Sequence, residues 1–155
     1  MKTYVITLSQ VFPATHFKAG EPTGFKEKVE AAIKQLEGEW WKLHTIRANC
    51  ELWAKRFEKI ATGEACLSIR MWTGKPYRSK QVEILRLTRE DGIGLQVLKF
   101  TFGDINKPVI VGGNDPTPTV LSHNDGLSET DWRYWFSGYD LTQTLAVIHF
   151  TSFRY

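Results

Sequence analysis

The chain has 155 residues, 42% apolar, 24% charged and 13% aromatic, with a net charge of +3 and two cysteines. That length supports one domain whose core needs neither disulfides nor a structural metal, and the aromatic content argues against disorder. No run of about 20 apolar residues is available to span a bilayer, the N-terminus lacks a signal-peptide pattern, and Cys50 and Cys66 are too few for a secreted disulfide framework, so a cytoplasmic protein with reduced thiols is expected.

The first element is a strand over 3–8, where Tyr4, Ile6 and Leu8 alternate with Thr3, Val5 and Thr7. Residues 9–24, with two prolines and two glycines, read as loop. Thr23 is placed to cap a helix running to about 37, whose buried stripe is Phe25, Val29, Ile33 and Leu36. The WWKLHTIR segment at 40–47 reads as a short strand or an extended entry to one. Asn49 is placed to cap a second helix over about 50–61, with Trp53, Phe57 and Ile60 on its apolar face. Strands are expected over 65–72, 80–88, 93–102 and 108–111, with a hairpin turn at Glu90-Asp91-Gly92. Residues 108–122 are otherwise expected to be loop. Ser128 and Asp131 have capping-box spacing, and Leu127 with Trp132 forms a hydrophobic-staple pair, so a helix starts there and runs to about 137. A final strand covers 144–153. This order lacks the even strand–helix alternation of a doubly wound sheet. It fits an α+β domain over 1–155: a small, partly closed barrel of mixed or antiparallel strands with peripheral helices.

The charge is unevenly spread. Residues 42–89 carry eleven Lys or Arg against four Glu, and the remainder is net acidic. Such a basic middle suits an anionic partner: nucleic acid, nucleotide or phosphate. The glycine-rich phosphate loop, the nucleophile elbow and the paired-histidine zinc motif are all missing. His16, His44, His123 and His149 show no close ligand spacing, so neither a metal nor another cofactor is expected.

Lys42-x-x-Thr45-x-Arg47, preceded by a helix, resembles the ASCH domain family, whose fold is similar to the RNA-binding PUA domain. Thr62-Gly63-Glu64 resembles the glycine turn that leads into the family's next barrel strand. Residues 124–132, NDGLSETDW, resemble its late short helix, and 145–150, LAVIHF, its last strand. The likeness covers about 25 to 155. It implies binding of RNA or a nucleotide in a cleft. One branch of the family is an amidohydrolase of N4-acetylcytidine that uses a Lys, a Thr and a Glu. Lys42 and Thr45 match the first two. Where the Glu should fall, this chain has Ser122-His123-Asn124-Asp125, so Asp125 or His123 would have to substitute.

Read as chemistry, Lys42 is a candidate base, Thr45 a candidate nucleophile and Asp125 a group to orient water or the leaving amine. In an ideal strand, residues three apart face opposite sides, so Lys42 and Thr45 converge only if the segment bends. Arg47 suits a phosphate or a carboxylate, including Asp125 or Asp131 within the fold. Trp41 or its neighbour Trp40 is a candidate pocket wall, and Asn124 can present polar atoms to a ligand. A second cluster, Arg70, Trp72, Lys75, Tyr77, Arg78 and Lys80, interleaves rings and cations as a single-stranded nucleic-acid surface does. The expected function is therefore binding of RNA or a modified nucleoside. An amidohydrolase is the second reading. A protein-interaction or regulatory domain is the third, and it calls for a flat exposed patch of Trp40, Trp72 and Tyr77 without a pocket.

Overall fold

A computed structural model describes residues 1–155. Seven strands and four helices follow one another as β1 (Lys2–Leu8), α1 (Phe25–Lys34), β2 (His44–Arg47), α2 (Cys50–Ala61), β3 (Ala65–Trp72), β4 (Gln81–Leu87), β5 (Gly94–Phe100), β6 (Pro108–Ile110), α3 (Pro118–Asn124), α4 (Glu129–Phe136) and β7 (Leu145–His149). The fold is α+β, with its strands in two separate sheets. One has the order β1-β3-β4, the other β2-β7-β5-β6. No ladder joins the two.

β1 lies parallel to β3, Thr7 opposite Arg70 and Leu8 opposite Met71. A parallel pair needs a long crossover, and α1, β2 and α2 provide it. Alternation along β1 and β3 sends Ile6, Leu8, Leu67, Ile69 and Met71 into the core. In the second sheet β7 is central, between β2 and β5, and all five of its residues are buried. Its LAVIH sequence is the continuous apolar run that a strand covered on both faces requires.

The chain departs from the expected elements at four places, each for a local reason. The Glu90-Asp91-Gly92 stretch is not a hairpin. Thr88 and Asp91 form a reciprocal capping box around a single 3₁₀ turn, and Gly92, at φ 78°, packs against Ser152. The chain leaves that turn toward the other sheet, so β4 pairs with β3 and β5 with β6 and β7. The expected loop over 108–122 contains α3, started by Thr117, whose hydroxyl accepts from Val120 N, and by Pro118 in the first turn. Helix α1 begins after Gly24 rather than Thr23 and stops at Lys34, because Gln35 turns left-handed and caps it. β7 ends at His149, short of 153.

Residues 9–24 form an irregular excursion, but they are tied down. Val11 bridges Pro22. His16, buried among the rings of Phe12, Phe17, Tyr134 and Trp135, meets the Asp131 carbonyl through Nε2 at 3.1 Å. Lys18 donates to the Asp131 carboxylate at 2.8 Å. The excursion is therefore latched to α4. No helix is long and apolar enough to cross a membrane, and Cys50 and Cys66 are unpaired.

Candidate functional site

The site is built where the segment before β2 meets the turn between α3 and α4. Residues 40–43 lie outside any ladder. Lys42 N donates to Lys28 O in α1, and Leu43 N to Asn124 O at the end of α3. Regular pairing begins at His44, opposite His149. Freed from strand alternation, Lys42 turns to the same side as Thr45. The bend that convergence requires is this unladdered entry.

Lys42 and Asp125 are 1% and 4% exposed. Lys42 Nζ donates to Asp125 O at 2.6 Å and to Asp125 Oδ1 at 2.9 Å, and it lies 4.3 Å from the centroid of the Phe25 ring. Gly126 makes this approach feasible. It sits at φ 82°, and a Cβ there would come within 3.1–3.2 Å of the Lys42 side-chain carbons. Burial pushes the Lys42 ammonium below its ordinary pKa, and Asp125 opposes that push. Burial alone would raise the Asp125 carboxyl, but Lys42 and His44 together hold it below the usual carboxylate range.

His44 is fully buried on the other side of Asp125. Its Nε2 meets Tyr155 Oη at 2.6 Å, and the Asn124 amide donates to the same oxygen at 3.1 Å. The phenol proton is then directed to Nε2, leaving the imidazole proton on Nδ1. Nδ1 faces Asp125 Oδ1 at 3.7 Å, too long for a hydrogen bond. Burial lowers the His44 pKa and raises that of the Tyr155 phenol. His149, hydrogen-bonded to Gln96 Oε1 at 2.9 Å, is pushed by burial to about 2.

Beside the pair lies a small cavity of about 130 Å³. Lys42, Thr45, Arg47 and Asp125 supply its polar wall; Phe25, Leu127, Trp135 and Tyr139 are among its apolar residues, and Leu8 and Ser9 close one edge. At about 30 Å³ per water, this is room for roughly four waters, or one small planar group. Thr45 is buried and its hydroxyl bonds no protein group. Arg47 is half-buried. Its Nη2 donates to Thr7 O at 2.8 Å, while its Nε is sealed and unpaired. Burial lowers its pKa, with Tyr139 and Asp125 opposing.

The remaining expected site residues lie elsewhere. His123 is exposed and stacks on Trp40, ring centroids 5.0 Å apart, and its carbonyl accepts from the Trp40 indole. The Trp41 indole donates to Leu36 O, which holds that ring against the end of α1 and outside the cavity lining. Asn124 braces Tyr155. Arg70, Trp72, Lys75, Tyr77 and Arg78 belong to the β3–β4 hairpin, and none lines the cavity. The cavity residues that sequence reasoning missed are the apolar and aromatic ones, with Ser9. Phe25, Trp135 and Tyr139 carry no local signal that separates a cavity wall from a core. The chain matched no family model, no curated protein and no solved structure.

Proposed function

We propose that the cavity binds a nucleoside or nucleotide, the role that the K-x-x-T-x-R resemblance implies, within a PUA-like fold whose two sheets form the halves of a partly open barrel. One observation carries the reading. Lys42, Thr45 and Arg47 line a single cavity with Asp125, more than 75 residues away in sequence. A base suits it chemically. The aromatic and aliphatic wall takes a flat ring, the Thr45 hydroxyl is free to donate or accept, and the Arg47 guanidinium favours a carbonyl or phosphate oxygen. The volume accommodates one ring, so sugar and phosphate would remain outside.

Titration against nucleosides and nucleoside monophosphates, read through the fluorescence of Trp135 in the cavity wall, tests this. Binding that weakens at least tenfold in Thr45→Val supports it. Binding indifferent to Thr45→Val, or no binding to any nucleoside, sinks it.

A second reading, amide hydrolysis of an N4-acylated cytidine, is favoured by one specific feature: Lys42, Thr45 and Asp125 share the cavity and the Lys42 pKa is lowered. With the pair in its neutral form, the ammonium's proton having passed to the Asp125 carboxylate, Thr45 Oγ would attack the acyl carbonyl as the Lys42 amine accepts its proton. The C–N bond would then break with that proton passing to the departing N4 amine, and water would release the acyl group as a carboxylate. Chromatography of N4-acetylcytidine incubated with the protein separates the readings. Cytidine plus acetate, lost in Thr45→Val, marks an enzyme; unchanged substrate marks a binding site.

A further inference from the structure

The two sheets have four edge strands, and three of them are blunted. β6 has only three residues and begins at Pro108, and its Ile110 N donates to the Asp115 carboxylate at 3.0 Å. β2 has four residues, the first three of them buried. In β1 only Lys2 is exposed, and Arg47 donates to Thr7 O. β4 is different. It runs for seven residues without a proline and pairs only with β3. No backbone hydrogen bond outside that ladder involves residues 81–87. Val82 is 52% exposed, and Glu83 and Arg86 are exposed beside it. Such an edge is a row of unpaired donors and acceptors that can take another extended segment.

The surroundings of that edge select its occupant. Pairing with β3 sets Val82 opposite Met71 and Glu83 opposite Arg70, and a bulge at Ile84 separates this run from Leu85–Leu87. The run of residues 81–83 has two unlike flanks. On one lies a surface groove of about 380 Å³, walled by Val82, Ile84 and Met71 on the sheet and by Lys26 and Glu30 of α1. On the other, the Arg70 Nε donates to Ser68 Oγ at 2.9 Å, and that hydroxyl donates to Glu83. Residues 70–87 hold five Lys or Arg and one carboxylate, Glu83, which Arg86 already meets at 3.0 Å. Arg70, Lys75, Arg78 and Lys80 take part in none of the ion pairs. Lys80 stands at the end of the ladder, where its carbonyl accepts from Thr73 N at 2.8 Å. The β4 edge of a second copy would bring the same positive charge against itself and be repelled. An extended segment alternates its side chains between two faces, so carboxylates on one face and aliphatic groups on the other would meet the cations and the groove together.

We propose that the edge of β4 at residues 81–83 is a docking site for an acidic protein segment, which adds as a fourth strand to the β1-β3-β4 sheet with aliphatic side chains in the groove and carboxylates toward Arg70 and the cations of residues 75–80. The free main chain of β4 supplies affinity, and the groove and the cations supply sequence preference. One short run and one groove make a small interface, of the transient kind. The site is separate from the cavity, which neither Val82, Ile84 nor any hairpin cation lines. It therefore stands or falls independently of the nucleoside reading.

The test follows the fluorescence anisotropy of a labelled peptide of alternating Glu and Val, about nine residues long, against the full chain. Two control peptides accompany it. One carries Lys for every Glu; the other keeps every side chain but is N-methylated throughout, so it has no main-chain donor. The acidic peptide should bind at least about tenfold more tightly than either control. Lys75→Glu/Lys80→Glu should weaken it about tenfold, and so should Val82→Lys, each with the melting temperature within about 2 °C of the parent. With peptide at ten times its Kd, hydrogen exchange at the outward-facing amides of residues 81–84 should slow about tenfold. No binding of the acidic peptide overturns the proposal, as does binding that ignores N-methylation or the exchange of Glu for Lys. Concentration-dependent self-association that Val82→Lys abolishes, with no peptide bound, overturns it in favour of a second copy. A single-stranded oligonucleotide that occupies residues 75–84 while the peptide stays free overturns it in favour of nucleic acid.

Discussion

Residues 40–47 and residues 70–80 both interleave cations with aromatic rings, yet Lys42 is 1% exposed and Tyr77 is 90% exposed. What separates them is a partner supplied from far along the chain. Asp125 takes the Lys42 ammonium into the interior, and Gly126 removes the side chain that would block it. The hairpin has no such carboxylate, so its charges stay in water. A cation next to a ring is therefore no guide to burial. The guide is whether the topology delivers a counter-charge and a gap in the same place. The two regions should consequently respond differently to every perturbation.

The largest effect is expected from breaking the buried pair. Lys42→Ala strands an uncompensated carboxylate and should cost about 3–5 kcal/mol of stability, measured by urea denaturation. Replacing both partners, as in Lys42→Met/Asp125→Leu, should recover most of that loss. A double variant no more stable than the single one would mean that the pair does not act as a unit.

Acid comes next. His44 and His149 have folded pKa values below the unfolded value of about 6.5. Below pH 6.5 the unfolded chain binds their protons and the folded chain does not. Stability should thus be complete above about pH 6.5 and fall as pH drops, by at most about 1.4 kcal/mol per pH unit for His149, with His44 acting in the same direction. For His149 the fall continues toward about 2. The Asp125 carboxyl is itself depressed and adds to the loss only below about 3.8, its ordinary value, and Glu64, Glu83 and Glu129, held below their ordinary 4.5 by hydrogen bonds, add only below about that pH, so the window from pH 6.5 to about 5 reports on the histidines. A flat melting temperature across that window would contradict their burial as neutral rings.

Gly126→Ala combines an unfavourable left-handed backbone with crowding of Lys42 and should cost at least about 1–2 kcal/mol. At the small end, Lys75→Ala/Arg78→Ala should leave the melting temperature within about 2 °C of the parent, since neither side chain is packed or paired. A larger drop would show that the hairpin is structural after all.

Much of the frame could be read in advance wherever a single local period governs. The alternation in β1, the amphipathic faces of α1 and α2, and the cap at Ser128 with Leu127 and Trp132 all predict elements that form. The errors fall where two signals compete. Glu90-Asp91-Gly92 carries a hairpin signature, but Thr88 reaches Asp91 first and makes a capped 3₁₀ turn. Around α3 the prolines and glycines read as loop, although Thr117 followed by Pro118 is also a helix start. At the site, Lys42, Thr45, Arg47 and Asp125 are singled out by the K-x-x-T-x-R resemblance, and their chemistry assigns each a role. Their convergence is not legible in the sequence, because it depends on the unladdered residues 40–43 and on the α3–α4 turn meeting them. Tyr155 beside His44 was beyond reach for the same reason: the contact spans 111 residues.

The most direct measurement is a backbone amide and indole NMR titration with nucleoside monophosphates. If the cavity takes a base, chemical-shift changes should concentrate at Thr45, Ile46, Asp125 and the Trp135 indole, and should vanish in Thr45→Val. Changes confined to other surfaces, or none at millimolar ligand, would contradict a nucleoside site at Lys42, Thr45 and Arg47.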